Sequence, residues 1–409
     1  MNQVIRAIKN HARTIAQELW FDGRGWILIA VSAGWALSMG VRYVFPTLAP
    51  FIQSEFNIGL SATGLLLSLL WGAYAIGNIP GGVLGDRIGE GNILVLSTAI
   101  TAGATLIVAT AVDVWVLFVG TIVFGLSTAL YGPSRFTLLT DIYSKHSGSA
   151  IGLTMAAGSL GNTVFPALSA IIATYLSWRL GFGIFIPLFV IVVIVLWLTV
   201  PGRTSSQTSV IDEISIHSLK RITRGITHNY ILVFVLTQIT VAIIIQGFSS
   251  FYPSYLINVK DLTPGAAATL FGIFFAAGIV IQPISGSMME RSGPRNATFL
   301  CLGGCVLALW MLPFFDSLMA LIVITCLLSC LNGCSVITQT YIADALPQDM
   351  QGTGFGTLKA GWMIIGATSP LFIGILADFG YFDQAFLLLA LIGTIGVVTT
   401  LKFMPNNMS

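Results

Sequence analysis

The chain has 409 residues, of which 56% are hydrophobic and only 8% charged, against roughly a quarter charged in a soluble domain. Its 18 Lys+Arg and 16 Asp+Glu cannot cover a water-facing surface of this size, so the surroundings are mostly lipid and the chain reads as an integral membrane protein. A net charge of +2 gives no reason to expect a nucleic-acid partner. The five cysteines, Cys301, Cys305, Cys326, Cys330 and Cys334, all fall in apolar runs and lack the spacing of a metal site or disulfide framework, so no metal or cofactor is expected.

Crossing a hydrocarbon core of roughly 30 Å takes about 20 apolar residues in a helix. Residues 1–24 carry charges throughout, lack the apolar core of a signal peptide, and read either as a short interfacial helix or as a plain cytoplasmic segment. Runs of the required length then predict spans at 26–50, 61–84, 92–112, 114–140, 148–173 and 179–200, which form an N-terminal six-helix bundle over 25–200. The polar stretch 201–228, with Lys220, Arg221 and Arg224, is the linker between halves. Six more spans follow at 229–256, 265–289, 297–314, 317–342, 353–377 and 383–403, giving a C-terminal bundle over 229–403 and a tail at 404–409. An even number of spans puts both termini on one side. That side holds 14 basic residues and the other only Arg179 and Lys260, so the positive-inside rule expects termini, linker and tail in the cytoplasm, with the protein in the plasma membrane.

The two bundles are copies of one another. Gly82-x-x-x-Asp86-Arg87-x-Gly89, after the second span, returns 204 residues later as Gly286-x-x-x-Glu290-Arg291-x-Gly293, after the eighth. Pro166 recurs as Pro370 at the same offset, while Asp141 and Asp344 close the fourth and tenth spans at an offset of 203. Because six is even, the copies insert with the same orientation, related by a pseudo-two-fold axis along the membrane normal. Over the whole chain this pattern resembles the major facilitator superfamily of secondary transporters. The resemblance implies an all-α integral membrane fold of 12 transmembrane helices in two six-helix bundles, acting as a monomer by alternating access on a small-molecule substrate. It also implies that Asp86 faces the cytoplasmic start of helix 11, with Arg87 paired to an acid such as Asp141. Gly82, Asp86, Arg87, Gly89 and Asp141, with Gly286, Glu290, Arg291, Gly293 and Asp344 in the second copy, would then latch the halves together on the cytoplasmic side. A helix N-terminus carries about half a positive charge, which suits a docked carboxylate. Two family features are missing: Asn162 stands where the antiporter signature of helix 5 has Pro, and VWVLFVGTIVFG lacks the Arg often found early in helix 4.

Ionisable groups deep in a span are costly and therefore mark function. Arg42 lies in the outer half of the first span and Lys359 in the inner half of the eleventh, which at a rise of about 1.5 Å per residue puts them roughly 15 Å apart along the normal, bracketing a passage. Arg suits bidentate carboxylate recognition, so Arg42 is expected to contact substrate. Lys359 resembles the helix-11 Lys of oxalate–formate-type organic-anion exchangers, whose helix-8 Arg is missing here; it alternatively joins the latch through Asp86 or Asp344. Arg135, near the inner end of the fourth span, adds positive charge at the inner mouth. Tyr74, Asn78, Asn162, Gln246, Tyr252, Gln339 and Trp362 are the polar and aromatic candidates to complete the pocket. No Asp, Glu or His lies mid-span, which leaves neither a catalytic constellation for an enzyme nor a proton-carrying carboxylate. The expected function is transport of a small, carboxylate-type organic anion by exchange, by uniport or with a substrate-linked proton. Export of neutral or cationic drug-like compounds is the alternative on this fold, and a non-transporting receptor or scaffold is another.

The orientation is open to a direct check. In a cysteine-free background, Asn57→Cys and Asp261→Cys are expected to react with a membrane-impermeant thiol reagent in intact cells, and Val210→Cys only after permeabilisation. Labelling at 210 in intact cells would reverse the assignment.

Overall fold

The computed structural model describes residues 19–20, 23–204, 231–346 and 351–404, without the side chains of 82, 83, 86 and 351–353. Most of the expected N-terminal segment, residues 205–228 of the expected linker with 229–230 after it, the tail from 405 and the side chain of Asp86 therefore lie outside the described residues. Those described are helical, with no strand among them. In chain order the first half contains α1 (Arg24–Phe56), α2 (Leu60–Ile88), α3 (Glu90–Ala109), α4 (Val114–Ile142), α5 (Ser147–Tyr175) and α6 (Trp178–Gly183 continued by Phe185–Thr199). The second half opens with α7 (Ile231–Asn258).

Eleven helical segments are long and apolar enough to cross a membrane, one fewer than the twelve spans expected. The difference lies in Pro264–Met311, a hydrogen-bonded run of 48 residues that would extend about 72 Å if straight, more than twice the hydrocarbon thickness. It bends sharply at Gly293, whose φ of 81° and ψ of 161° are not helical. The bend makes two limbs, α8 (264–292) and α9 (294–311), where the sequence predicts two spans. The chain continues through α10 (Leu318–Leu328 and Cys330–Ala345), α11 (Gln351–Gly366 and Ser369–Asp378) and α12 (Phe382–Phe403). Asp113, Ser177, Thr263 and Ser317 start α4, α6, α8 and α10, each side chain accepting a backbone N–H of the first turn, so those ends keep few orphan donors.

The duplication is visible in the backbone. Gly89 (φ 101°) and Gly293 (φ 81°), the last glycines of the two motif copies, share the left-handed region, and so do Asn57 (φ 51°) and Asp261 (φ 53°), also 204 residues apart. Packing is duplicated too, with sizes exchanged. The Tyr131 hydroxyl donates to Val31 O at 2.9 Å in the space left by Gly34; at the equivalent places Gln238 reaches Ser335 at 3.4 Å. Trp35 packs on Gly158 in the first half, whereas in the second Trp362 is the large partner and Ile239 the small one.

Residues 201–204 pack against the α2–α3 turn, with Asn92 N donating to Gly202 O (3.2 Å) and Arg203 Nη2 to Arg87 O (2.6 Å), which defines the linker end of the molecule. The contacts that seal one half to the other lie toward the opposite, far end. Tyr43 packs its ring on Phe275 (4.4 Å) and Phe271 (5.9 Å). Trp71 Nε1 donates to Ser250 Oγ (3.2 Å), and Leu371 N to Ser68 Oγ (3.0 Å). At the tip, the Asp378 carboxylate at the end of α11 accepts from Leu60 N (2.6 Å), Ser61 N (2.8 Å) and the Ser61 hydroxyl at the start of α2. The reason is local: α8 is capped by its own Thr263, but α2 has Gly59 at the same place and no side-chain cap. A Cβ on Gly59 would come within 2.8 Å of Asp378 Oδ2, so the glycine makes room for a cap supplied by the other half.

An N-cap side chain contributes about 1 kcal/mol. Asp378→Ala should therefore move the closed-to-open ratio of the far end by roughly fivefold toward open, seen as longer double electron–electron resonance distances between spin labels at the far ends of α2 and α11. Unchanged distributions would show that the aromatic seal alone holds this end.

Candidate substrate site

Arg42 occupies the middle of α1 and is 1% exposed. Its guanidinium lies over the Tyr74 ring at 3.5 Å from the centroid and 5.6 Å from that of Trp71, both on α2. Trp71, Tyr74 and Asn78 follow one another at i, i+3 and i+7, so a single face of α2 carries the aromatic shelf. Nη1 points to the Met39 sulfur at 3.6 Å, while Nε and Nη2 have no hydrogen-bond partner among the described residues. Lying over the ring keeps the guanidinium within reach of the Tyr74 hydroxyl, but in a geometry too poor for a well-formed hydrogen bond from Nε or Nη2. A buried donor pair left open in this way matches the two oxygens of a carboxylate.

Arg135 on α4 repeats the arrangement. It is 1% exposed and sits over the Trp35 ring at 3.8 Å, with Phe136 at 4.5 Å. Nη1 donates to Thr154 Oγ1 (3.1 Å) and Nη2 approaches the Met155 sulfur (3.4 Å), leaving Nε without a partner. Lys359 on α11 is half-buried, and the charges of Arg42, Lys359 and Arg135 all act on the Tyr74 hydroxyl. Three basic side chains from α1, α4 and α11 thus act electrostatically on one phenol of α2. Arg179 and Lys260 behave differently: at the far end Arg179 pairs with Glu55 and Lys260 with Asp316 (2.6 Å).

The other expected pocket residues divide. Asn78 lies half-buried next to the shelf, with Nδ2 donating to Tyr74 O at 2.6 Å. Gln246 is buried, donates Nε2 to Met363 O (3.3 Å) and leaves Oε1 unpartnered among the described residues. Gln339 bonds Ser335 Oγ at 2.7 Å on its own helix. Three others make packing contacts in this conformation. Asn162, with its amide oriented as its neighbours require, donates to Gly158 O and Met39 O at 3.2 Å and ties α5 to α1. Tyr252 is fully buried, shares a hydrogen bond with Thr325 and packs on Phe248 at 4.4 Å. Trp362 packs edge-on against Phe355 at 5.7 Å in a small core beside α7. Trp35, Trp71, Met39 and Thr154, absent from the sequence reading, support the two arginines; Trp35 and Arg42, two turns apart on one face of α1, were the available signal.

At the linker end Asp141 accepts from Thr204 Oγ1 (3.0 Å), as Glu90 does from Thr204 N (3.1 Å). The expected Arg87–Asp141 pair is not formed in this conformation, and Arg87 is exposed with its carbonyl holding Arg203. Glu290, Arg291 and Asp344 are likewise exposed, and a Cβ on Gly286 would meet open space.

Two bundles of apolar helices around a buried, basic, aromatic-lined centre define a multi-pass membrane transporter of small molecules, not an enzyme. A family model described as the Major Facilitator Superfamily matches residues 30–340, and the chain belongs to that family. The hexuronate transporter of Bacillus subtilis (strain 168) is 24% identical over 392 residues, covering 87% of this chain and 88% of its own length. The cis,cis-muconate transport protein of Acinetobacter baylyi is 23% identical over 357 residues, covering 83% and 84%. In three dimensions the crystal structure of a bacterial homologue of the human lysosomal transporter Spinster, inward-facing and occupied, matches with a TM-score of 0.76 at 17% identity, over 92% of this chain and 96% of that one.

A cation–π contact of this kind is worth about 0.5–2 kcal/mol. Thermal unfolding in detergent should therefore rank Tyr74→Phe level with the wild type and Tyr74→Leu below both. Equal midpoints for the two variants would mean that the ring does not hold Arg42.

Proposed function

We propose that this transporter moves a small, carboxylate-type organic anion across the plasma membrane by alternating access, as a monomer with both termini in the cytoplasm. The observation that carries the reading is the open Nε–Nη2 edge of Arg42, buried with no carboxylate among the described residues to close it. A charge so placed has a desolvation cost that a bound anion offsets. Among the described helices no Asp or Glu side chain lies mid-span, which disfavours an organic cation as substrate. The transport of hexuronate and cis,cis-muconate by the two relatives agrees with this sign of charge. Coupling follows from the same inventory: without a mid-span carboxylate to carry a proton, exchange, uniport or a proton borne by the substrate is the mode proposed. In the opposite conformation Asp86 docks at the start of α11, with the rest of its motif and the copy at 286–293 shaping the linker-end latch.

Arg42 variants test the reading in proteoliposomes loaded and challenged with organic anions. Arg42→Lys keeps the charge but loses the planar two-bond fork, and a roughly tenfold loss of exchange is expected; Arg42→Gln should lose about a hundredfold or more. Exchange should persist when an ionophore collapses the proton gradient. Wild-type rates in Arg42→Gln, or preference for an organic cation, would leave only the family assignment standing.

A further inference from the structure

The anion-carrier reading uses one guanidinium, yet the site holds two that are buried and incompletely satisfied. Their placement is ordered by the duplication. Arg42 and Arg135 have as counterparts, 204 residues on, Gln246 and Gln339, and Lys359 has Met155. Since the copies share backbone turns at 57 and 261 and at 89 and 293, equivalent positions stand at equal depth across the pseudo-two-fold axis. Two polar layers result. One is Arg42 with Gln246; the other, nearer the linker end, is Arg135 with Gln339 and Lys359.

The spacing of the layers comes from α1. Arg135 rests on Trp35, and Trp35 precedes Arg42 by two helical turns, so the two stacked guanidiniums are separated by about 10 Å along the axis. One carboxylate cannot reach both. Each arginine also keeps an N–H without a partner among the described residues, and neither those residues nor the aromatic shelves supply a carboxylate to neutralise them. Lys359 forms no ion pair among the described residues either and acts on the same phenol as both arginines. Three positive charges around Tyr74 call for more than one negative charge.

Resting on the reading that Arg42 anchors a carboxylate, we propose that the substrate is an elongated organic dianion, one acid group on the Nε–Nη2 edge of Arg42 and the second on Arg135 with Lys359, two helical turns toward the linker end. The aromatic shelf of Trp71 and Tyr74 backs the Arg42 pole, and the amides of Gln246 and Gln339 stand at the depths of the two poles. A carboxylate or a sulfonate satisfies either pole, since the planar one and the tetrahedral one alike present a pair of oxygen acceptors to a guanidinium edge.

The test uses matched pairs on purified protein, with binding read by ligand-induced thermal stabilisation and exchange read in proteoliposomes. Succinate, adipate and glucarate are each compared with butyrate, hexanoate and gluconate, which keep the carbon chain and lack one carboxylate. At least one dianion is expected to bind about tenfold or more tightly than its monoanion partner, the worth of one charge-assisted contact. Arg135→Gln should reduce dianion binding about tenfold more than monoanion binding, whereas Arg42→Gln should weaken both members of each pair. Should Arg135→Gln fail to fold, Arg135→Lys and the wild-type pairs decide the matter. Equal affinity within every wild-type pair, with Arg42→Gln abolishing both, overturns the dianion and leaves the anion carrier intact. Binding of neither member of any pair overturns both.

Discussion

Everything in the central site depends on how a charge is kept in a lipid-embedded interior without a counter-charge. An Arg at the bilayer centre costs at least a few kcal/mol, and the usual remedy is an acid on a neighbouring helix. This chain uses aromatic faces and sulfur instead: Tyr74 and Trp71 with Met39 around Arg42, Trp35 and Phe136 with Met155 around Arg135. A ring stabilises a guanidinium through its negative face by about 0.5–2 kcal/mol, but it neither neutralises the charge nor occupies the N–H edge. A carboxylate would have done both and left nothing for a substrate. The far-end pairs Arg179–Glu55 and Lys260–Asp316 show that the chain does pair basic residues with acids where no ligand has to compete.

Duplication supplies the frame in which these differences become informative. The copies keep the same turns, and at packing positions they trade large for small, as with Tyr131 against Gly34 and Gln238 against Ser335. Such exchanges preserve volume and leave the helices where they were. The exchanges at Arg42/Gln246, Arg135/Gln339 and Met155/Lys359 are of another kind. They preserve polarity or reach at a central position while changing charge, and they make a symmetric frame hold an asymmetric set of donors.

Much of the fold was legible because composition, the 204-residue repeat and the paired glycine motifs act over long stretches of chain. The bend at Gly293 was legible only as a boundary: the sequence marks the glycine, but whether hydrogen bonding runs on through it depends on local geometry. In the site, residue type indicated the arginines and the lysine, since charge in an apolar span is unambiguous. It could not separate Tyr74 from Tyr252, two tyrosines in apolar helices. One has a cation over its ring, and the other has its hydroxyl taken by Thr325 and its ring by Phe248.

The α2–α11 pair joins the site to the motion that must expose it. The two helices run antiparallel across the boundary between the halves, and each ends in a carboxylate. Asp378, closing α11, sits on the uncapped N-terminus of α2. Asp86, near the end of α2, is the group proposed to sit on the N-terminus of α11. An acid at its own helix's C-terminus opposes the macrodipole, and at another helix's N-terminus it is favoured, so each carboxylate gains by docking on the partner helix. A tilt that separates one end of an antiparallel pair brings the other together. On that proposal the two docks would exclude one another. Tyr74 and Trp71 lie on α2 between them, so the shelf that carries Arg42 belongs to the helix whose tilt decides which end of the molecule is open.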